Sequence, residues 1–317
     1  MGGDLGSRTA ALLESEPWVD AMLGMDTDPP RRRLHRSEFH LVRPSDHDRI
    51  LELVAAFNPH VIVHLSVWEP FSRAAPRQAT TLTEQAATSI LGAVAECRAL
   101  ESIVVRSGVE VYGRAHGSLT RPDESAPVAP TSQFGRNLAA VEATANAIGR
   151  RIGVPVAAVR LGAVVGPHVP SPLGRLLRMP AVPFSVLADP PFAVAEDVEC
   201  ARAFVAAAER RLDEPVNVLN HGAITVLQAI RRGRRLPIPL VGPEWYVARV
   251  ISGLFGAPIP DHVMETIHRG HLADNARMDD LLGFTTRSST VDVIDRLYRW
   301  PSVIHVAAAR PMVDQVA

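Results

Sequence analysis

The sequence predicts an α/β chain built on a mainly parallel sheet, and two observations carry that expectation. The stretch Glu101–Glu142 reads as one complete strand–loop–helix unit. It opens with the β-branched run Ile103-Val104-Val105, crosses a loop rich in proline, glycine and serine, and enters a helix at Thr131-Ser132-Gln133. Comparable short apolar runs recur at Phe39–Arg43, His60–Ser66, Val154–Leu161 and Pro215–Asn220, with helical stretches between them. A strand buried on both faces and followed by a helix places its loop at the carboxyl edge of the sheet, where such folds hold ligands.

The elements justify themselves in order. Ser7–Glu16 reads as a first helix, and the apolar segment Trp18–Met25 ends at Asp26. Arg31-Arg32-Arg33 is expected as a solvated basic turn, with a site for a 2′-phosphate as the alternative. Asp48–Phe57 is helical and stops at Asn58-Pro59; His60–Ser66 is a buried strand ending near His64, expected as a buried, hydrogen-bonded histidine. Thr80–Cys97 is a long amphipathic helix, and Asn137–Ile152 another. Beyond Leu161 the chain enters proline-rich ground, then Phe192–Val198, where Asp197 is expected to cap the next helix. Arg231-Arg232-Gly233-Arg234-Arg235 is expected as a solvated helix end, with a phosphate contact as the sharper alternative. Pro243–Phe255 is an amphipathic helix with aromatics, expected to pack in the core or a dimer; Leu281–Trp300 reads as a last helix and 301–317 as a loose tail.

Composition narrows the function classes. At 317 residues the chain has ample length for one large domain or two coupled ones. A formal net charge of −1 leaves no electrostatic footprint for nucleic acid. No uninterrupted apolar stretch approaches the roughly 18 residues of a membrane span, and no basic region followed by an apolar run marks a signal peptide. The expectation is a cytoplasmic protein. Cys97 and Cys200 read as two small buried hydrophobes, and His268 with His271 lacks a third ligand nearby, so no metal site is expected. All 33 Lys+Arg residues are arginine, so no lysine is present to lower a neighbouring pKa, form a Schiff base or grip a phosphate.

One family resemblance rests on specific motifs. Val111-Tyr112-Gly113 after a strand and a serine, His64-Leu65-Ser66 at a strand end, and Arg160 followed by Gly166-Pro167 stand in the order and spacing of the extended short-chain dehydrogenase/reductases. This is the NAD-dependent epimerase/dehydratase family, with members like UDP-glucose 4-epimerase. The catalytic positions of that pattern are replaced here: Gly108 stands at the Ser/Thr position, Phe134 at the tyrosine and Leu138 at the lysine of Tyr-x-x-x-Lys. Phe134 has no ionisable proton, so the family's acid/base step is expected to be lost at that position. Ser107 and Tyr112 are the candidate substitutes.

The resemblance implies a Rossmann-type, doubly wound parallel sheet with a smaller, partly interleaved C-terminal substrate domain. The implied division is 1–165 for the cofactor domain and 166–300 for the substrate region, with 191–222 returning to the first. It implies NAD as cofactor, held by Gly3, Asp4, Leu5, Gly6, Asp26, His64, Leu65 and Ser66. Gly3-Asp4-Leu5-Gly6 resembles the last two glycines of G-x-x-G-x-x-G, and Asp26 follows Gly6 at the spacing of a ribose-binding carboxylate. Asp26 would repel a 2′-phosphate, which favours NAD over NADP. The first strand and first glycine have no counterpart, so the site is expected to be incomplete and translation to start further upstream. A nucleotide-sugar-like ligand and a homodimer are implied as partners. Two classes stay open: a degenerate member that binds without turnover, or an oxidoreductase or epimerase with an unusual proton donor.

Overall fold

The computed structural model describes residues 1–242 and 244–299; the expected tail at 301–317 lies outside the described residues. The strands of the main layers are labelled β1 (Met22–Asp26), β2 (Ser37–Leu41), β3 (Val61–His64), β4 (Ser102–Gly108), β5 (Val156–Leu161) and β6 (Val216–Val218). Four of them form a parallel sheet in the order β6-β5-β4-β3. The other two, β1 and β2, pair in parallel with each other from Met22↔Ser37 to Asp26↔Leu41.

The run that marks β4 in the sequence shows why this sheet is covered on both faces. Ile103 and Val105 enter one apolar cluster with Leu138, Val141 and Ala145 of the helix Gln133–Ile152. Val104, between them, enters a second cluster with Cys200, Ala203, Phe204 and Ala207 of the helix Asp197–Glu209. Alternation with a period of two sends successive β-branched side chains to opposite faces, and a helix buries each face. This is a doubly wound α/β layer. The helix Gln133–Ile152 starts where the sequence marks it: the Ser132 hydroxyl accepts the Gly135 N–H at 3.1 Å.

A third cluster, including Leu176, Phe192, Ile230, Val263 and Ile294, holds the C-terminal part together. There Ala181–Ser185 pairs in parallel with Leu236–Leu240, and Ala163–Val165 with Val194–Glu196. Between those pieces the chain returns to the main sheet through the helix Asp197–Glu209 and β6.

Several local expectations are corrected. The first helix begins at Gly3 rather than Ser7, so Gly3–Gly6 forms its first turn. The long helix expected over Thr80–Cys97 starts at Pro76, passes through a π turn at Ala87–Leu91 and ends at Val94; Pro76 fits its first turn because no N–H is needed there. The last helical stretch divides into Met278–Leu282 and Thr290–Arg299, with Gly283 closing the first at φ +73°. Asp197 is not a cap: Glu196 holds the cap position, and the buried Asp197 carboxylate pairs with Arg8 at 2.9 Å, tying the first helix to Asp197–Glu209. The helix Glu244–Leu254 packs only one face, through Trp245 and Ser252; Tyr246, Val250 and Leu254 point to solvent.

Candidate functional site

A cleft of about 310 Å³ runs from the first turn of the N-terminal helix past β1 to the loop after β3. Its size falls in the range of small-molecule sites. The edges of β1 and β3 both line it, and no ladder joins those two strands.

One end of the cleft is suited to an anion. The helix Gly3–Leu13 has Gly2 as its N-cap and no side-chain cap, and its first residue, Gly3, is bridged through the backbone to Pro30. Gly3 has φ +69°, a conformation that favours glycine. A Cβ at Gly2 would collide with the Asp28 carbonyl and lie 2.7 Å from the Asp26 carboxyl carbon. Asp4 also lines this end, and its charge would oppose a phosphate. Arg31 Nη1 lies 3.0 Å from both its oxygens and Arg73 Nη2 3.5 Å from one, so the carboxylate is neutralised locally. The Arg31 guanidinium is thus engaged with Asp4. Leu5 turns its side chain toward the helix–sheet core, and Gly6 packs against the Met1 backbone, 3.1 Å from where its Cβ would stand.

Asp26 ends β1 with its carboxylate at the cleft. Its Oδ2 accepts from the Met1 ammonium at 3.2 Å and its Oδ1 from the Asp28 N–H at 3.2 Å. Further along, His64, Leu65 and Ser66 line the same cleft. His64 is buried, but neither ring nitrogen has a hydrogen-bond partner among the described residues, which corrects the expectation of a hydrogen-bonded histidine. Burial alone pushes its pKa down to about 4, so the ring is neutral at pH 7. The cleft therefore brings together all eight residues named for the cofactor.

Gly108, Phe134 and Leu138 lie in packed surroundings. Gly108 ends β4, and a Cβ there would collide with the Glu110 carboxylate and stand 3.0 Å from Leu138 Cδ1. Leu138 is in the core, and the buried Phe134 ring lies 4.8 Å from the His262 ring at 42°. Ser107 and Tyr112 belong to a buried polar network. Ser107 Oγ donates to Glu142 Oε1 at 2.5 Å, and Arg160 donates to the two Glu142 oxygens at 2.8 and 2.7 Å. The Tyr112 hydroxyl donates to Asn217 Oδ1 at 2.7 Å and accepts from Arg160 Nη1 at 3.0 Å. Burial raises the Tyr112 pKa, and the neighbouring Arg160 offsets that only in part.

Two carboxylate–imidazole pairs stand beside Gly108 and Phe134, and sequence reading named neither. Glu110 Oε1 lies 3.4 Å from His271 Nε2, both side chains buried. That is long for a hydrogen bond, and the contact is a close carboxylate–imidazole approach. Burial pushes the Glu110 carboxyl up, but the His271 and His262 imidazoles outweigh it and hold the group below the usual carboxylate range. The second pair is Glu69 Oε1 with His262 Nε2 at 3.0 Å, and Glu69 lines the cleft. Glu110 carried a usable signal, a carboxylate inside an apolar run that must be buried. His262 carried none, because only tertiary packing brings its helix, Asp261–Arg269, to Phe134.

The family model described as NAD dependent epimerase/dehydratase family matches residues 2–213. The chain belongs to this family. An uncharacterized protein of Mycobacterium tuberculosis is 25% identical over 305 residues, covering 93% of this chain and 81% of that protein. Among solved structures, MoeE5 in complex with UDP-glucuronic acid and NAD is similar at TM-score 0.72 and 20% identity, covering 94% of this chain and 96% of that one. UDP-glucose 4-epimerase of Thermotoga maritima, solved with UDP-glucose, is similar at TM-score 0.71 and 14% identity, with coverage of 94% and 96%. A tyrosine-to-phenylalanine mutant of UDP-glucuronic acid 4-epimerase from Bacillus cereus, in complex with UDP-4-deoxy-4-fluoro-glucuronic acid and NAD, matches at TM-score 0.71 and 16% identity, again covering 94% and 96%. At these identities the structures establish the Rossmann-type fold. Among the described residues, no helix is long and apolar enough to cross a membrane.

Proposed function

We propose that this family member binds NAD and a nucleotide-sugar-like ligand in the cytoplasm, without the family's standard Ser/Tyr/Lys chemistry. The carrying observation is the cleft: an uncapped helix start, Asp26 and Ser66 are assembled along it, while positions 108, 134 and 138 hold glycine, phenylalanine and leucine. The start of the helix Gly3–Leu13, which no side chain caps, would face a diphosphate, and the Asp26 carboxylate would accept ribose hydroxyls in exchange for the Met1 ammonium. When bound, NAD supplies a hydride acceptor. The chain's own part is binding and orientation, because Phe134 and Gly108 offer no proton donor or acceptor in their side chains.

Solved neighbours holding NAD together with UDP-sugars support the ligand class. The reading includes a cofactor domain over 1–165, a substrate region over 166–300 with 191–222 returning, and a homodimer. An active enzyme using Ser107 or Tyr112 is the competing reading, and both hydroxyls are already engaged in the buried network. Titration calorimetry with NAD+ and NADH tests the proposal. Micromolar binding, weakened roughly tenfold by Asp26→Asn through loss of a charge-assisted hydrogen bond, is expected. Heat-free titrations to about 1 mM, a bound of only about −4 kcal/mol, would refute it.

A further inference from the structure

Glu69 is a ligand-facing carboxylate that neither the sequence motifs nor the family comparison assigns. It lies five residues past the end of β3, on the cleft wall, with 17% of its side chain exposed. Behind it stands His262, with 6% of its side chain exposed and its Nε2 at 3.0 Å. The other side of that imidazole is fixed by the Phe134 ring. The carboxylate is therefore held from the protein side and open on the cleft side.

The segment around it is fixed by more contacts than chain continuity requires. Arg106 Nη1 donates to the Val67 carbonyl at 3.0 Å, Thr83 Oγ1 accepts the Trp68 N–H at 3.0 Å, and the Glu69 carbonyl accepts the Ser72 N–H at 3.0 Å. Phe71 is held at φ +61°, a left-handed conformation costly for a bulky residue, and Arg175 donates to its carbonyl. Strain of this kind persists where the surroundings over-determine the backbone, and an observed outlier is grounds for a functional hypothesis.

The chemistry of the group narrows what it can take. An ionised carboxylate repels phosphate and accepts hydrogen bonds from hydroxyls. We propose that Glu69, held by His262 as a positioning residue, is the acceptor for the hydroxyl-bearing part of the ligand, the sugar end rather than the phosphate end. This assignment rests on the nucleotide-sugar reading above and adds to it the residue that recognises the sugar.

The test compares UDP with UDP-glucose by titration calorimetry on the full chain, with circular dichroism confirming that each variant is folded. The wild-type protein should bind UDP-glucose more tightly than UDP. Glu69→Gln should remove that difference, a loss of roughly 10- to 100-fold for a hydrogen bond to a charged group, and leave UDP affinity unchanged. His262→Leu should produce the same selective loss, and His262→Gln, which keeps an N–H donor toward Glu69, should restore most of it. An unchanged UDP-glucose to UDP ratio in Glu69→Gln overturns the assignment while leaving the nucleotide-sugar reading intact. Equal weakening of both ligands also overturns it, because a structural lesion would do that. Binding of neither ligand by the wild-type chain overturns the nucleotide-sugar reading and the Glu69 assignment together.

Discussion

The buried pair Glu142–Arg160 offers the strongest single test of how the strand ends are held. Only 7% and 6% of the two side chains are exposed, and the carboxylate accepts from Arg160 at 2.8 and 2.7 Å and from Ser107 at 2.5 Å. Burial pulls the guanidinium pKa down, and Glu142 and Tyr112 more than offset that, so the charge stays in place. Glu142→Ala leaves a buried guanidinium without its counter-charge. Breaking such a pair costs about 3–5 kcal/mol, a large part of the roughly 5–15 kcal/mol that stabilises a typical fold. Glu142→Leu with Arg160→Met removes both charges and should recover most of the loss. Urea unfolding followed by far-ultraviolet circular dichroism reads both variants. A single-variant loss below about 1 kcal/mol would show that the pair is worth no more than a solvated one. The claim that Ser107 and Tyr112 are tied into a rigid core network would then fall with it.

The remaining predictions concern His64, Leu138 and the cofactor. The His64 pKa is near 4 when folded against 6.5 for the free side chain, so below pH 6.5 the unfolded state takes a proton that the folded state refuses. Stability should fall between pH 6.5 and 4 by up to about 3 kcal/mol from this group. His64→Gln should flatten that part of a melting-temperature–pH profile, and an unchanged slope would contradict it. Leu138→Lys puts an ammonium into the packed core against Leu138's own neighbours, so the Phe134→Tyr, Leu138→Lys double variant should lose roughly 3 kcal/mol and gain no turnover with UDP-glucose and NAD. NADH formation by that variant, read at its absorbance, would show that the scaffold still supports the family's chemistry. Asp26→Asn should weaken NAD while leaving the melting temperature within a few degrees, since its side chain is partly solvated.

The legible part of the fold is the part set by local periodicity and capping. Ile103-Val104-Val105 declared a strand buried on both faces, and Ser132 declared the start of a helix; neither needs long-range information. The boundaries that moved did so because of tertiary demands. The first helix reaches back to Gly3 because glycine tolerates the left-handed turn there, and Asp197 forgoes capping because Arg8 approaches it from the N-terminal helix. That the eight residues expected to hold the cofactor share one cleft was legible for a related reason: they sit on strand ends and a helix start, which backbone topology places on one edge.

The other wall of the site was not legible. Glu69 and His262 are 193 residues apart, and their meeting depends on the C-terminal helix Asp261–Arg269 packing onto the helix Gln133–Ile152. In that docking the Phe134 ring lies 4.8 Å from the His262 imidazole. At Gly108 the absence of a Cβ admits the Glu110 carboxylate. Gly108 and Phe134 thus each stand against one of the two carboxylate–imidazole pairs. The Glu110–His271 pair is buried within the protein; the Glu69–His262 pair reaches the cleft, where a ligand can meet it.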